Sequence, residues 1–584
     1  MIYRKEHAIC FFCMILGVLL LAGNVFAQIP TGQDAGAVQR NLLEEKKDKE
    51  VKKKLEQKKD AQIDEQNDVR QEAPPVSGQK SVLIEKIVVE GVTYFKLKFI
   101  RSIVAPFEGK ELSLSDFQKI ADLITNEYRK AGLVTSSAYL AEQKISDNTL
   151  RISVIEGRVG QVNIEGNKWF NDKLINNYID QRKDDIFNYE SLRKNIAYMN
   201  EKRDIEAKVI LARGKERGET DVNLKVEDQF PFHVNLGFSN YNSKYTERLK
   251  YTAEVLSTNF LGLGHLMSGE MQLGEADRYH LYTLRYLAPI TPRSTIGLSY
   301  INLDQRLGRE VGDLEIKGEG DIVSFYYAYK LIDTDDLSVS LNPGFVYKDI
   351  MNEVLESTAQ ADGGSEDRIR IAKLGFDIDY MDAFSGRTII IQEFDFGLKD
   401  FMGGLSGKDV HASRSGAGAG GEFFRSMTNF ARIQNLPYDI SLMLKGAAQW
   451  TGDDLTSTEQ FFIGGPKSVR GYPNSEFGGD KGLSMSSELY FPVYGLPKDL
   501  QIPYMDTRWY DAIRVVGFFD WGFVSSNSIV VGETKDETLY SCGSALRFNI
   551  PQRFSLSLDY GHALGQRSSD GSKSRLYIET KLYF

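Results

Sequence analysis

Arg553-Phe-Ser-Leu-Ser-Leu-Asp-Tyr560 sets Phe554, Leu556, Leu558 and Tyr560 against Arg553, Ser555, Ser557 and Asp559. Successive side chains of a strand point to opposite faces, so this period of two marks a strand with one apolar and one polar face. The last segment repeats it. Leu576, Ile578, Leu582 and Phe584 alternate with Arg575, Tyr577, Glu579, Lys581 and Tyr583, and Thr580 is the one break. A soluble sandwich turns its apolar face inward, whereas a membrane barrel turns it outward and keeps a wet, charged lumen. Period alone does not separate the two. Working back to Phe230, sixteen such strands can be placed, centred near residues 236, 252, 269, 283, 298, 325, 342, 374, 392, 426, 444, 487, 518, 544, 557 and 580. Sixteen is even, as bacterial barrels require, and leaves room for an aqueous channel. The 29 Tyr and 33 Phe suit two interfacial girdles. The expectation is a mainly β chain with a 16-stranded antiparallel transmembrane β-barrel over 230–584. Long polar loops fall near 303–319, 350–366, 402–419, 451–480 and 493–511.

The N-terminus supports export. Arg4 and Lys5, the apolar run from Ile9 to Ala22 and the small-x-small site Val25-Phe26-Ala27 predict a signal peptide over 1–27. The run is short for a bilayer span, which needs about 20 apolar residues. After Ala27 no apolar stretch is long enough for a transmembrane helix, which leaves a periplasmic, secreted or barrel protein. Cys10 and Cys13 leave with the signal, and Cys542 alone can form neither an internal disulfide nor a Cys-based metal cluster. The net charge of −10 makes no case for nucleic acid.

Residues 28–80 read as a polar helical arm and linker. Asn41 to Asp68 is dense in Lys, Glu, Asp and Gln, strong helix formers with charge pairs at helical spacing. Its apolar stripe is too thin to dock on a core. The arm is either a solvated tether or a helix that plugs a water-filled lumen. Residues 81–157 form a small α/β unit: a strand ending on Gly91, a short helix, and a second helix capped by Ser113 or Ser115. Two strands close it near Ser137–Ala141 and Thr149–Ile155. Residues 158–229 repeat the plan, with strands near Ile205–Leu211 and Asp221–Glu227, so the pair is an internal repeat.

Several stretches resemble one family. Leu123-Ile-Thr-Asn-Glu-Tyr-Arg-Lys-Ala-Gly-Leu-Val-Thr-Ser-Ser-Ala-Tyr-Leu140 and Leu150-Arg-Ile-Ser-Val-Ile-Glu-Gly157 resemble the first POTRA domain of two-partner secretion transporters, the TpsB family. Phe230-Pro-Phe-His-Val-Asn-Leu-Gly-Phe238 and Asn259-Phe-Leu-Gly-Leu-Gly264 resemble the start of that family's barrel. Gly464-Gly-Pro-Lys-Ser-Val-Arg-Gly-Tyr472 resembles the V-R-G-Y tip of a loop (451–480) that folds into the lumen, and Phe518-Phe-Asp-Trp-Gly522 the F-x-D-x-G wall motif. The resemblance implies two POTRA domains in the periplasm, a barrel in the outer membrane, and export of a TpsA-like partner exoprotein, with activation of that partner a further option. The alternative is a factor that inserts other barrels, which shares both motifs but usually carries three or more POTRA units.

The resemblance also assigns site residues. Val469, Arg470, Gly471 and Tyr472 form the loop tip, and Phe518, Asp520 and Gly522 the wall. Parity agrees: with Trp521 toward lipid, Asp520 points into the lumen, where a carboxylate can take a bidentate Arg470. That pair is either a purely structural latch or part of a gate. Phe584 resembles the C-terminal signal read by the barrel assembly machinery. An unfolded partner is expected to add a strand to a POTRA sheet edge, at Ser137, Ala138 and Tyr139 or at Ile205 and Val209. Outer-membrane lipids surround the barrel. The six His are scattered without ligand spacing, and there is no G-x-S-x-G elbow. The reading therefore includes no enzyme, no metal and no cofactor.

Overall fold

The computed structural model describes residues 62–65, 81–145, 147–241, 247–307, 316–354 and 364–584. The expected signal peptide and most of the arm lie outside the described residues. The chain enters as a short strand, β1 (Gln62–Glu65). The first α/β unit then runs β2 (Val82–Ile84), β3 (Lys86–Glu90), α1 (Leu97–Val104), β4 (Lys110–Leu112), α2 (Leu114–Lys130), β5 (Ser137–Tyr139) and β6 (Thr149–Ile155). Helix α2 starts where it does because Ser113 and Asp116 form a reciprocal capping box. Its buried Phe117, Ile120, Ile124 and Tyr128 recur at helical spacing and meet Leu150, Ile152 and Val154 on the inner face of β6.

The second unit is β7 (Arg158–Glu165), α3 (Asp172–Tyr178), α4 (Tyr189–Asn200), β8 (Ile205–Arg213) and β9 (Glu219–Asp228). The two sheets share one topology. The first long strand pairs in parallel with the last, and the middle strand lies antiparallel on the last strand's other side. They also share an anchoring device. In the first unit Glu156 accepts the Thr93 and Tyr94 N–H groups at 2.8 Å and the Tyr128 hydroxyl at 2.7 Å. In the second, Asp228 accepts the N–H groups of Lys168, Trp169 and Phe170 at 2.7–2.9 Å. Each acid stands at the C-terminal end of the unit's central strand and ties down the segment after the unit's first long strand.

Two sequence expectations are corrected here. Gln62–Glu65 fall in the stretch read as helical, yet β1 is a strand lying parallel to β8, with Gln62–Glu65 opposite Lys208–Leu211. The edge at Ile205–Leu211, expected to be open, is therefore occupied over its C-terminal half. The cause is tertiary: an unpaired sheet edge offers ladder hydrogen bonds that outweigh local helix propensity.

The barrel strands are β10 (Phe232–Ser239), β11 (Lys250–Phe260), β12 (His265–Gly274), β13 (Tyr279–Thr291), β14 (Ser294–Leu307), β15 (Ile316–Asp333), β16 (Leu337–Val354), β17 (Ser365–Met381) and β18 (Gly386–Gly397). They continue as β19 (Phe424–Leu436) and β20 (Ile440–Thr451). The short β21 (Phe461–Ile463) and β22 (Phe477–Gly479) form the stem of the inserted loop. Then follow β23 (Lys481–Pro492), β24 (Ile513–Ser525), β25 (Asp536–Ile550), β26 (Phe554–Ala563) and β27 (Ser574–Tyr583). Without β21 and β22 these make one closed antiparallel barrel of sixteen strands, sealed where β10 meets β27. Each of the sixteen sequence-assigned centres falls inside a strand.

Strands β15 and β16 are 18 residues long, well beyond the ~9–11 that cross a bilayer. They continue as ladders where loops were expected at 303–319 and 350–366, because cross-strand pairing does not stop at the membrane surface. The loop at 493–511 carries a short helix, α5 (Trp509–Ala512), and lies at the same end as the α/β units. There Trp509 stacks on the outward-facing Phe548. The second unit is pinned to the barrel. Asp204 holds His233 of β10 at 2.9 Å and also bonds the Thr258 hydroxyl of β11, while Arg193 of α4 meets Asp335 in the β15–β16 turn at 2.9 Å.

Burial pushes the Glu156 carboxyl up, but the Thr93 hydroxyl, the Tyr94 N–H and the Tyr128 hydroxyl outweigh it and hold the group below its ordinary value. A depressed folded-state pKa contributes stability above the unfolded value that is lost as pH falls through the folded one. Glu156→Gln is expected to destabilise the first unit by about 2–3 kcal/mol and to flatten its acid sensitivity. Hydrogen exchange of α2 and β6 in the full-length chain between pH 7 and pH 3 measures both effects.

Candidate functional site: the lumenal loop

The segment between β20 and β23 does not stay outside. It climbs through residues 452–460, forms the β21–β22 stem, and turns its tip, residues 464–476, against the inner wall. Arg470 is the centre of that contact and is 2% exposed. Its Nε and Nη2 each reach an Asp520 carboxylate oxygen at 2.7 Å, and its backbone N–H donates to the same group at 3.1 Å. This is the fork-to-carboxylate geometry expected from the two motifs.

The wall offers more than one acid. Arg470 also meets Glu488 of β23 at 2.9 Å, Asp559 of β26 at 3.0 Å and the Ser486 hydroxyl at 3.0 Å. Its guanidinium lies 3.4 Å from the centroid of the Phe518 ring, a cation–π contact. Arg547 of β25 shares Asp559 at 2.7 Å, and Lys445 of β20 faces Glu488 at 3.6 Å. The three acids are thus balanced by Arg470, Arg547 and Lys445, so the buried cluster is neutral only with the loop in place. Breaking such a pair from one side leaves an uncompensated charge.

Glycines bring the backbones close. Gly471 sits at φ +96°, and a Cβ there would meet the Ala563 nitrogen at 2.9 Å. Its N–H donates to the Tyr577 hydroxyl of β27 at 3.1 Å, and that hydroxyl donates to the Tyr472 carbonyl at 2.8 Å. On the wall a Cβ at Gly522 would lie 2.8 Å from Val469, so the bare backbone there makes room for the tip. Val469 and Tyr472 are fully buried with Ile463, Leu539 and Ala563. All seven motif residues therefore come together.

The remaining assigned residues lie elsewhere. Phe584 is exposed and exchanges two backbone hydrogen bonds with Val234 at the barrel seam, at 2.9 and 3.2 Å. Ser137, Ala138 and Tyr139 form the short strand β5, paired among the described residues on one side only. Ile205 and Val209 turn their side chains into the second unit's core, so only the backbone of that edge can meet another strand. Sequence reasoning missed Glu488, Arg547 and Asp559. Alternation in Arg553–Tyr560 put Asp559 on the polar face, but no local signal told which strands would stand beside Arg470. Below the loop a cavity of about 1110 Å³ opens toward the α/β units, with Arg285, Arg293, Lys330 and Lys373 beside Glu254, Asp377 and Glu393. Its lining is of mixed charge.

Two tandem α/β units feeding a sixteen-stranded barrel whose own loop is locked in the lumen define an outer-membrane barrel protein with POTRA domains on the periplasmic side. The family model described as "Haemolysin secretion/activation protein ShlB/FhaC/HecB" matches residues 218–528, and the chain belongs to that family. "POTRA domain, ShlB-type" matches 82–157, and "Surface antigen variable number repeat", a POTRA model, matches 157–229. Among relatives, "Heme/hemopexin transporter protein HuxB" of Haemophilus influenzae (strain 86-028NP) is 22% identical over 495 residues, 82% of each chain. "Outer membrane transporter CdiB" of Escherichia coli is 24% identical over 458 residues, 76% of this chain and 73% of the relative. The solved structure of CdiB from Escherichia coli superposes with a TM-score of 0.74 at 18% identity, covering 96% of this chain and 100% of that one. The chain is a transporter of two-partner secretion.

The lock makes a direct prediction. Arg470 is buried in the lumen at rest, out of reach of external trypsin. Asp520→Asn removes the main partner of Arg470 and is expected to destabilise the docked loop by about 3 kcal/mol; Gly471→Ala displaces the tip by steric conflict. Trypsin added to intact cells should then make a cut at the tip in both variants that is absent from the wild type.

Proposed function

We propose that the POTRA edges capture an unfolded exoprotein by strand addition, and that the lumenal loop gates its passage through the barrel. The observation that carries this reading is the pairing of β1 with β8. The edge that the sequence nominates for partner binding accepts an extended strand, and one from this chain occupies it at rest. Backbone ladders are indifferent to most side chains, so an incoming segment competes for the same N–H and C=O groups. Ser137, Ala138 and Tyr139 of β5 offer a second, shorter edge. Release of β1 frees the β8 edge for the incoming segment, and the tip of the loop leaves the lumen.

Export rests on binding and folding free energy, because the periplasm supplies no ATP. The partner threads outward and folds outside, which makes the passage one-way. No catalytic chemistry is invoked. The chain's own insertion is proposed to use its C-terminal strand, ending at Phe584, as the signal for the barrel assembly machinery, with lipid around the outward face.

Paired proteomics of medium and outer membrane, with and without the gene, tests the reading. The expected result is loss of one large protein from the medium with other barrels unchanged, and the same loss in an Arg470→Ala strain. A depleted set of outer-membrane barrels would instead support the insertion-factor alternative. Separately, Ile63→Pro removes a ladder donor from β1 and is expected to tighten partner binding to the full-length protein by about ten-fold. Isothermal titration with the unfolded N-terminal segment of the identified partner measures it. Deleting residues 28–80 should raise channel conductance; unchanged conductance disposes of the plug.

A further inference from the structure

The climbing limb of the loop carries a second buried charge. Glu459 is 0% exposed. Its carboxylate takes the Lys348 ammonium on one side and Arg425 Nη1 on the other, the latter at 2.5 Å. Arg425 also donates to the Glu459 backbone carbonyl at 3.0 Å, as does Gln449 of β20. The cluster continues along the wall. Arg425 reaches Asp395 at 2.5 Å, and Lys373 lies 3.6 Å from Asp395 and 3.2 Å from Glu393. Lys348, Lys373, Asp395 and Arg425 stand on the four consecutive strands β16, β17, β18 and β19.

This contact mirrors the one at the tip. The loop is rooted between β20 and β23. Arg470 ties its tip to the strands that follow the root, and Glu459 ties its limb to strands that precede it. The charges are opposite in sign. A cation from the tip neutralises a wall that is otherwise in acidic excess; an anion from the limb neutralises a wall that is otherwise in basic excess. Neither contact shares a residue with the other. Withdrawing the tip alone leaves the limb bound, and the lumen stays obstructed.

We propose that Glu459 is a second lock on the lumenal loop, with Lys348 and Arg425 as its keeper, and that opening of the pore requires both locks to release. The inference rests on the reading that this loop gates the pore. Once the loop withdraws, the passage presents a basic strip on β16–β19 facing an acidic strip on β23–β26.

Single-channel recording of the full-length protein in planar bilayers tests this, using the wild type, Glu459→Gln, Arg470→Ala and the double variant. Compact migration on unheated gels verifies a closed barrel in each. Lys348→Gln attacks the same lock from the wall and serves where Glu459→Gln does not assemble. Independent locks contribute additively to the free energy of opening, so Glu459→Gln should raise the opening constant about ten-fold in either background. Lys348→Gln should reproduce the effect. An opening constant within about two-fold of the parent in both backgrounds overturns the proposal. So does a double variant no more open than Arg470→Ala alone, which would make Glu459 part of the tip's own lock. If Arg470→Ala leaves opening unchanged while Glu459→Gln raises it, gating by the tip fails and the second lock stands.

Discussion

Inside hydrocarbon an unpaired backbone N–H or C=O costs several kcal/mol, and a strand can satisfy those groups only through its neighbours. The sixteen strands obey this by closing on themselves, with β10 returning to β27. Everything else follows from that closure. A closed sheet with its apolar face outward must gather its polar residues on the inside. A lumen of that width must then be either hydrated or filled. The chain fills the outer half with its own loop and leaves the periplasmic half as a cavity of mixed charge.

Filling a polar lumen from within the same chain is an electrostatic problem. Buried charges are tolerated only when paired and hydrogen-bonded. The wall below the tip carries Asp520, Glu488 and Asp559, and Arg470 brings the missing cation. The wall beside the limb carries Lys348, Lys373 and Arg425, and Glu459 brings the missing anion. Such pairing holds the loop firmly. Its members are all groups that water can solvate once the lumen opens, unlike an apolar plug, which would resist hydration. Backbone approach at Gly471 and Gly522 sets the depth of the tip, so shape and charge agree on one docked position.

The periplasmic side applies the same economy to hydrogen bonds. Glu156 and Asp228 perform one task in two units, collecting the N–H groups of the segment after the first strand. Asp204, His233 and Thr258 fix the second unit on the first barrel strands. That attachment holds the second unit against the periplasmic end of the barrel. The β1–β8 contact there is a backbone ladder, Gln62–Glu65 beside Lys208–Leu211, and such a ladder is indifferent to most side chains.

Much of this was legible in the sequence, because the two governing periodicities are local. Alternation in Arg553–Tyr560 needs only the pleat to predict a lumen-facing Asp559, and the same parity put Asp520 opposite Trp521. The helical face of Phe117, Ile120, Ile124 and Tyr128 needs only 3.6 residues per turn. The two motifs proposed their own pairing across 50 residues. Other features were not local. That Asp559 and Glu488 would complete the cage around Arg470 depends on strand neighbours separated by 89 and 18 residues in the chain. That Gln62–Glu65 would be a strand depends on a sheet edge far downstream, which overrules their helix-forming composition. That Lys348 and Arg425 would face Glu459 depends on how far a loop bends back after leaving the barrel. Sequence by itself determined which face each residue presents, since that is a property of one strand or helix. Only the tertiary structure decided which faces meet, since closure of the barrel and return of the loop are properties of the whole chain.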